Sequence, residues 1–277
     1  MTQIRKAQTP PTALVDIGAN LAHESFAADL DAVLDRADNV GVRQIVVTGS
    51  DEASAQAARA MACERSGQLY STAGLHPHHA SDFSDDMLAV FRALANTPQC
   101  VAIGETGLDF FRDISPRADQ ARAFEAHLAL ASELNMPLFL HQRDAHDRFL
   151  PMLRDWRHRL GAVVVHCFTD RREALFDYLD LDCHIGITGW VCDERRGQDL
   201  FASVPSVPAD RLMIETDAPY LMPRTIRPRP KTRRNEPAHL PYVLETVARA
   251  RRQSPQTVAQ QTTANARAFF GLPQPTA

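Results

Sequence analysis

Eight short β-branched or apolar runs alternate with helix-patterned stretches along almost the whole chain, and that alternation restricts the available folds more than any other feature. The runs cover residues 13–17, 44–48, 69–73, 100–103, 137–141, 162–166, 184–187 and 212–215. Between them, sets such as Leu30, Val33, Leu34, Ala37 and Phe124, His127, Leu128, Ala131 repeat with helical spacing. Strands separated by helices must pair in parallel through right-handed crossovers. An open doubly wound sheet and a closed (β/α)8 TIM barrel both satisfy this pattern. No G-x-G-x-x-G follows the first run, which removes the dinucleotide-binding version of the open sheet. Eight units in 277 residues is the usual size of the barrel. Residues 254–270 read as one further helix, opened by Pro255 and ended by Gly271. The expected organisation is a loose leader over 1–12, polar and containing Pro10 and Pro11, then one barrel domain over 13–277.

Composition narrows the function. Thirty Lys and Arg against 34 Asp and Glu give a net charge of −4, so a general basic coat for nucleic acid is excluded and any phosphate recognition must be local. No window approaches the roughly 18 apolar residues of a membrane span, and no membrane partner is expected. Five cysteines without a C-x-x-C pair point to reduced thiols and a cytoplasmic location.

The chemistry lies in what each run leads into. The first gives Asp16, the third leads to Gly74-Leu75-His76-Pro77-His78 and the fourth to Gly104-Glu105. The fifth ends at His141, the sixth at His166, and the eighth leads into Glu215-Thr216-Asp217. In a barrel these C-terminal strand ends converge on one mouth. Glu105, His141 and His166 are therefore the expected ligands of a divalent metal, and an unligated Asp217 beside them can handle protons. A lone histidine at a strand end is usually structural; two with a glutamate at successive ends are not. His76 is expected to hold substrate, whereas His78 is read as a loop residue. His23, His127, His146, His158 and His184 receive no role. Asp144 is expected to cap the helix that follows it, and Cys167 to face away from His166 into the core. Arg224, Arg227, Arg229, Lys231, Arg233 and Arg234 lie in eleven residues without an acid, interleaved with prolines. At the rim of a metal site this segment favours an anionic polymer, with Arg233 and Arg234 as phosphate contacts.

With those residues identified, the chain resembles the TatD family of metal-dependent deoxyribonucleases from about residue 15 to 271. The carriers are TAGLHPH (72–78), AIGETGLDF (102–110), NMPLFLHQRDAH (135–146), VVHCFTD (164–170), GITGWVCDERRG (186–197), IETDAPYL (214–221) and RRNEPAHLP (233–241). The resemblance places metal ligands at Glu105, His141 and His166 and an aspartate at Asp217. It implies hydrolysis of DNA phosphodiesters, often from the 3′ end, with Mg2+ as cofactor; Mn2+ or Zn2+ suit the imidazoles by softness. RNA as a second substrate, a monomeric state and a part in DNA repair are further expectations. The first strand departs from the family's D-x-H-x-H, reading Asp16-Ile17-Gly18-Ala19-Asn20, which leaves a second ion without its usual histidines.

The expected reaction is metal-assisted hydrolysis of single-stranded nucleic acid, with Asp217 as general base and Phe110, Phe111 or Trp190 available to stack on bases. Two rivals keep the barrel. One is an amidohydrolase-like esterase or lactonase, or an aminoacyl-tRNA deacylase, on the same metal. The other is a barrel that binds nucleic acid or protein without cutting.

Overall fold

The computed structural model describes residues 12–274. The leader expected over 1–12 thus lies, up to residue 11, outside the described residues. Eight strands run in the order β1 to β8, every neighbouring pair parallel. They are β1 (Leu14–Ala19), β2 (Val42–Val47), β3 (Leu69–Ala73), β4 (Cys100–Asp109), β5 (Leu138–Arg143), β6 (Val163–Val165), β7 (His184–Ile187) and β8 (Leu212–Ile214). Helices α1 (Leu30–Asn39), α2 (Glu52–Glu64), α3 (Asp85–Ala95), α4 (Arg117–Leu134), α5 (His146–Trp156), α6 (Arg172–Asp180), α7 (Gln198–Ser203) and α8 (Leu240–Arg251) follow them in turn. The last helix, α9 (Pro255–Phe270), occupies the stretch its sequence marks: Ser254 caps it and Gly271 ends it in the left-handed region.

The ring closes just beyond the end of β8. Ala19 and Ala218 form a parallel bridge. The Asp217 amide donates to Gly18 O at 2.8 Å and the Asn20 amide to Ala218 O at 2.7 Å. Helix α9 covers this seam, packing on both β1 and β8, and Thr263 donates to Ala13 O at 3.0 Å.

Two apolar layers hold the ring. The larger lies between strands and surrounding helices. In the second, Val15, Ile17, Val46, Phe139, Val164 and Met213 meet one another and Phe269 and Phe270 of α9. Side chains from so many strands can meet without α1–α8 only inside the barrel, so this layer is the packed lumen. Phe139 is its upper surface and stacks on His166, ring centroids 4.2 Å apart. The lumen is therefore the floor of the mouth.

Strand β4 runs to Asp109, well past the 100–103 read from its β-branched core. Gly104 and Gly107 explain both the length and the missed signal. Their φ values are +132° and +147°, and a Cβ at either would come within 2.1 Å of Phe139 O or 1.9 Å of His141 O. Only glycine permits β4 to lie this close to β5, and Glu105 sits between the two.

His127, on α4, links the outer layer to the mouth. Its Nε2 accepts from the Leu75 amide at 3.2 Å while Nδ1 faces Ala123 O at 2.7 Å. The ring pins the loop that carries His76. Burial holds its pKa near 4, below the ordinary 6.5. The unfolded chain therefore binds the extra proton first. This contribution to stability is complete above about pH 6.5 and is lost as pH falls towards 4, on the order of 3 kcal/mol in all. Denaturant unfolding at pH 7 and pH 4.5 should show part of this loss, and His127→Gln should flatten the difference between the two.

Candidate active site

The C-terminal ends of β4, β5, β6 and β8 deliver their polar side chains to one place. Glu105 is 5% exposed and His166 3%. Oε1 of Glu105 lies 3.0 Å from His141 Nδ1, 2.8 Å from His166 Nε2 and 3.4 Å from His76 Nε2. Burial opposes charge on this carboxyl, but the imidazoles around it prevail and hold it well below the usual carboxylate range. His76, Glu105 and His141 offer donor atoms within 4.8 Å of one another, a group able to hold a metal ion. His166 joins them through Glu105.

The groups behind the three rings differ. His166 Nδ1 faces Glu215 Oε2 at 3.3 Å, and His141 Nε2 faces Asp109 Oδ2 at 3.4 Å. Burial opposes charge on both rings, but the carboxylates around them raise their pKa, and their inner nitrogens face Glu105. With a cation bound, a carboxylate behind each ring would keep the proton on that side and turn the inner nitrogen to the ion. His76 is arranged the other way. Its Nδ1 accepts from the His78 amide at 3.1 Å, so in the neutral ring the proton sits on Nε2. Burial lowers its pKa to about 3, which keeps it neutral. As it stands, His76 is a hydrogen-bond donor aimed into the cluster.

Asp217 follows β8 at φ 54°, a left-handed conformation that an aspartate tolerates. Its Oδ1 accepts from Asn20 Nδ2 at 3.1 Å. Burial, reinforced by the charges of Glu105 and Glu215 against those of the histidines, raises its pKa to about 7. Asp16 also rises to about 7, through burial, although Thr216 donates to both its oxygens from amide and hydroxyl. Glu105, Asp109, Glu215, Asp217 and Asp16 make this a carboxylate-rich pit with two imidazole nitrogens turned inward. That donor set fits a divalent cation.

Three of these carboxylates or their partners escaped the sequence reading. Asp109 sits in the AIGETGLDF stretch but beyond the run taken as strand four. There its two oxygens meet His78 Nε2 at 2.8 Å and the Arg112 amide at 2.8 Å. His78, read as a loop residue, thereby helps fix Asp109. Glu215, quoted only as part of the eighth strand end, fills the space over Gly18 and Gly186. A Cβ on Gly18 would fall 2.4 Å from Glu215 Oε2. Asn20 stands where the family pattern has a histidine and donates to Asp217 instead.

Other expectations fail for identifiable reasons. Cys167 does not face away into the core: its φ of 46° breaks strand alternation. Its amide donates to Glu215 Oε1 at 2.6 Å, and its thiol, raised by burial and by the nearby charges of Asp217 and Glu215, belongs to the mouth. Asp144 is not a cap, since Ala145 holds that position without a side-chain bond and Asp144 lies at φ 51°. Arg233 is exposed on the rim. Arg234 is not free beside it. Its guanidinium pairs with both oxygens of Asp29 at 2.7 and 2.8 Å and lies over the Phe26 ring.

The profile of a family described as TatD related DNase matches residues 15–271. The chain belongs to the TatD-related DNase family. A curated relative from Erwinia billingiae, named 3′-5′ ssDNA/RNA exonuclease TatD, is 52% identical over 260 residues, 94% of this chain and 100% of the relative. One of the same name from Pantoea ananatis is 50% identical over 94% of this chain and 100% of its own. Among solved structures, the TatD homologue YjjV from Escherichia coli superposes with a TM-score of 0.85 at 27% identity, covering 94% of this chain and 98% of that one. A TatD family hydrolase from Entamoeba histolytica gives 0.84 at 23% identity, with the same coverages, a likeness of fold. These likenesses agree with the barrel and family expected from the strand-end motifs. No helix among the described residues is long and apolar enough to cross a membrane.

Gly18→Ala tests how the pit is packed. The added methyl must displace Glu215 from His166 and from the Cys167 amide, which should cost about 2 kcal/mol in thermal unfolding. Isothermal titration should also show weaker divalent-ion binding. Unaltered stability and ion affinity would mean that Glu215 is not held as described.

Proposed function

We propose that the protein is a metal-dependent 3′-to-5′ exonuclease acting on single-stranded DNA and RNA. The names of relatives about half identical to it support this. The observation that carries the reading is the buried Glu105 carboxylate shared by imidazoles, with Asp217 raised to about 7 beside it. Glu105, His141 and His166 are the proposed ligands of one divalent ion, which when bound supplies positive charge to polarise a phosphoryl oxygen and acidify water.

The chain's own groups divide the remaining work. Asp217 is the proposed general base, and a carboxyl poised near neutrality is well matched to taking a proton from water. Asn20 fixes the carboxylate's rotamer through its bond to Oδ1. His76, neutral with its proton on Nε2, donates to a non-bridging phosphate oxygen, and the His78 amide holds its tautomer. Asp109 and Glu215 keep His141 and His166 turned inward. Phe139 closes the floor against water from below.

Mg2+ is the proposed ion, since Glu105, Asp217 and the substrate phosphate provide hard oxygens; Mn2+ or Zn2+ fits the imidazoles. We further propose a monomer working in the cytoplasm, in DNA repair. The five free cysteines suit a reducing compartment.

Two measurements test the reaction. On 3′- and 5′-labelled oligonucleotides, EDTA should abolish cleavage and Mg2+ or Mn2+ restore it, with mononucleotides released from the 3′ end. Asp217→Asn should lower kcat by about 10²–10⁴-fold with divalent ion bound; a near-wild-type rate removes the assigned base. Asp109→Asn should weaken divalent-ion affinity by about 10–100-fold in calorimetry. If affinity is unaffected, Asp109 does not orient His141.

A further inference from the structure

The arginine-rich segment after β8 contains two kinds of cation. Arg224 is committed to Glu194, with contacts at 2.9 and 3.1 Å. Arg227 donates to the carbonyls of Arg224 and Ile226, and Arg234 is locked to Asp29. Among the described residues Arg229, Lys231 and Arg233 have no acidic partner. All three line one groove of about 670 Å³ together with Trp190, Arg196 and Met222. Arg196 lies over the Trp190 indole at 4.5 Å and pairs with the buried Asp193 at 2.9 Å. One wall thus presents unpaired charge, and the other an aromatic surface with a planar cation held against it.

The groove is lined by the loops that follow β7 and β8, the strands whose ends also border the pit. Its inner end is Gly189, packed so closely on the β8 loop that a Cβ there would fall 2.0 Å from Leu221 O. Thr188, one residue earlier, has its hydroxyl 3.8 Å from the Cys167 thiol, and the charge of Asp217 acts on that thiol. A ligand leaving the pit along the ends of β7 and β8 would meet this groove next. Arg234 has a part in this without touching the ligand. Its clamp on Asp29 anchors the segment so that its neighbours stay at the rim.

We infer that this groove holds the single strand on the 5′ side of the bond being cut. Successive phosphates lie on Arg229, Lys231 and Arg233, and a base lies against the Arg196 guanidinium that covers Trp190. The inference rests on the exonuclease reading above: if the 3′ end is processed in the pit, the uncut remainder of the strand must leave it. Extended anionic polymer fits here for two reasons. The cations are spaced along a proline-interrupted segment rather than clustered on one point. Stacking on a guanidinium backed by an indole accepts any base, as a processive or sequence-tolerant nuclease requires. In a chain of net charge −4, the three unpaired cations also give this side of the mouth a local attraction for an anionic strand.

The test compares long and short substrates. For wild type, Trp190→Ala and a combined Arg229→Ala, Lys231→Ala, Arg233→Ala variant, kcat/KM is measured on a single-stranded 12-mer and on bis(p-nitrophenyl) phosphate. The small diester reaches only the pit. Each variant should lose about tenfold or more in the ratio of 12-mer to small diester, with the loss in KM. The triple variant should also lower the salt dependence of 12-mer binding, measured by anisotropy in EDTA, by about 2 in log–log slope. An unchanged ratio and unchanged salt slope overturn the groove. A parallel loss on both substrates also overturns it, because the segment then serves only the pit. Arg233→Glu provides a milder second variant, with the same direction expected. If wild type cuts neither substrate with any divalent ion, the nuclease reading fails by itself, and the anisotropy arm still decides whether this groove holds a strand.

Discussion

The whole mouth depends on one carboxylate placed where burial alone would neutralise it. Glu105 sits among His76, His141 and His166, and its bonds to His141 and His166, both held charged above the usual histidine range, help outweigh the cost of removing its charge from water. That balance holds only while the neighbouring strands keep their register. β4 must approach β5 closely enough to bring Glu105 between His141 and His166, which the two glycines of β4 allow. The apolar lumen fixes the height at which these side chains emerge, since Phe139 supports His166 from beneath. Packing and electrostatics are therefore not separate tasks here.

Around this centre the protons are distributed by what stands behind each ring. Carboxylates behind His141 and His166 would keep a proton on the far side of each ring and leave the inner nitrogen to a bound cation. A backbone amide behind His76 makes its inner nitrogen a donor. Three histidines at similar distances from one oxygen are thus chemically unequal, and the difference arises in residues that do not touch the centre. Two of those residues come from loop geometry: the His78 amide follows Pro77, and Asp109 is braced by the Arg112 amide and by Gln120, whose side chain bonds both the Asp109 amide and its carbonyl.

The fold and the convergence of Glu105, His141, His166 and Asp217 were legible in the sequence because both follow from strand ends, and strand ends are marked by β-branched runs. What was not legible depends on local backbone exceptions. Cys167 and Asp217 both lie at positive φ, where alternation no longer tells which way a side chain points; Asp217 was placed at the mouth by its position after strand eight, whereas Cys167 was misplaced because its direction was argued from alternation. Asp109 was hidden by the glycines that interrupt the β-branched signal of β4. Glu215 was hidden by a different kind of relation. Its place is defined by the missing side chain of Gly18, nearly 200 residues earlier, and no local pattern records that. Arg234 shows the limit of reading charge runs: its neighbour Arg233 looks identical in sequence, but only one of them has Asp29 within reach.

The seam between β1 and β8 has a consequence for how the chain becomes competent. Asp16, Gly18 and Asn20 belong to the first strand, yet their partners are Thr216, Glu215 and Asp217, and α9 covers the join from residues 255–270. During synthesis β1 must wait, one edge unpaired, until β8 has emerged. Such sequence-distant pairing is slow to form. A nascent chain that has passed β7 but not β8 would leave Asp16, Gly18 and Asn20 without the partners that β8 and its loop supply, so the pit is completed only when that strand joins.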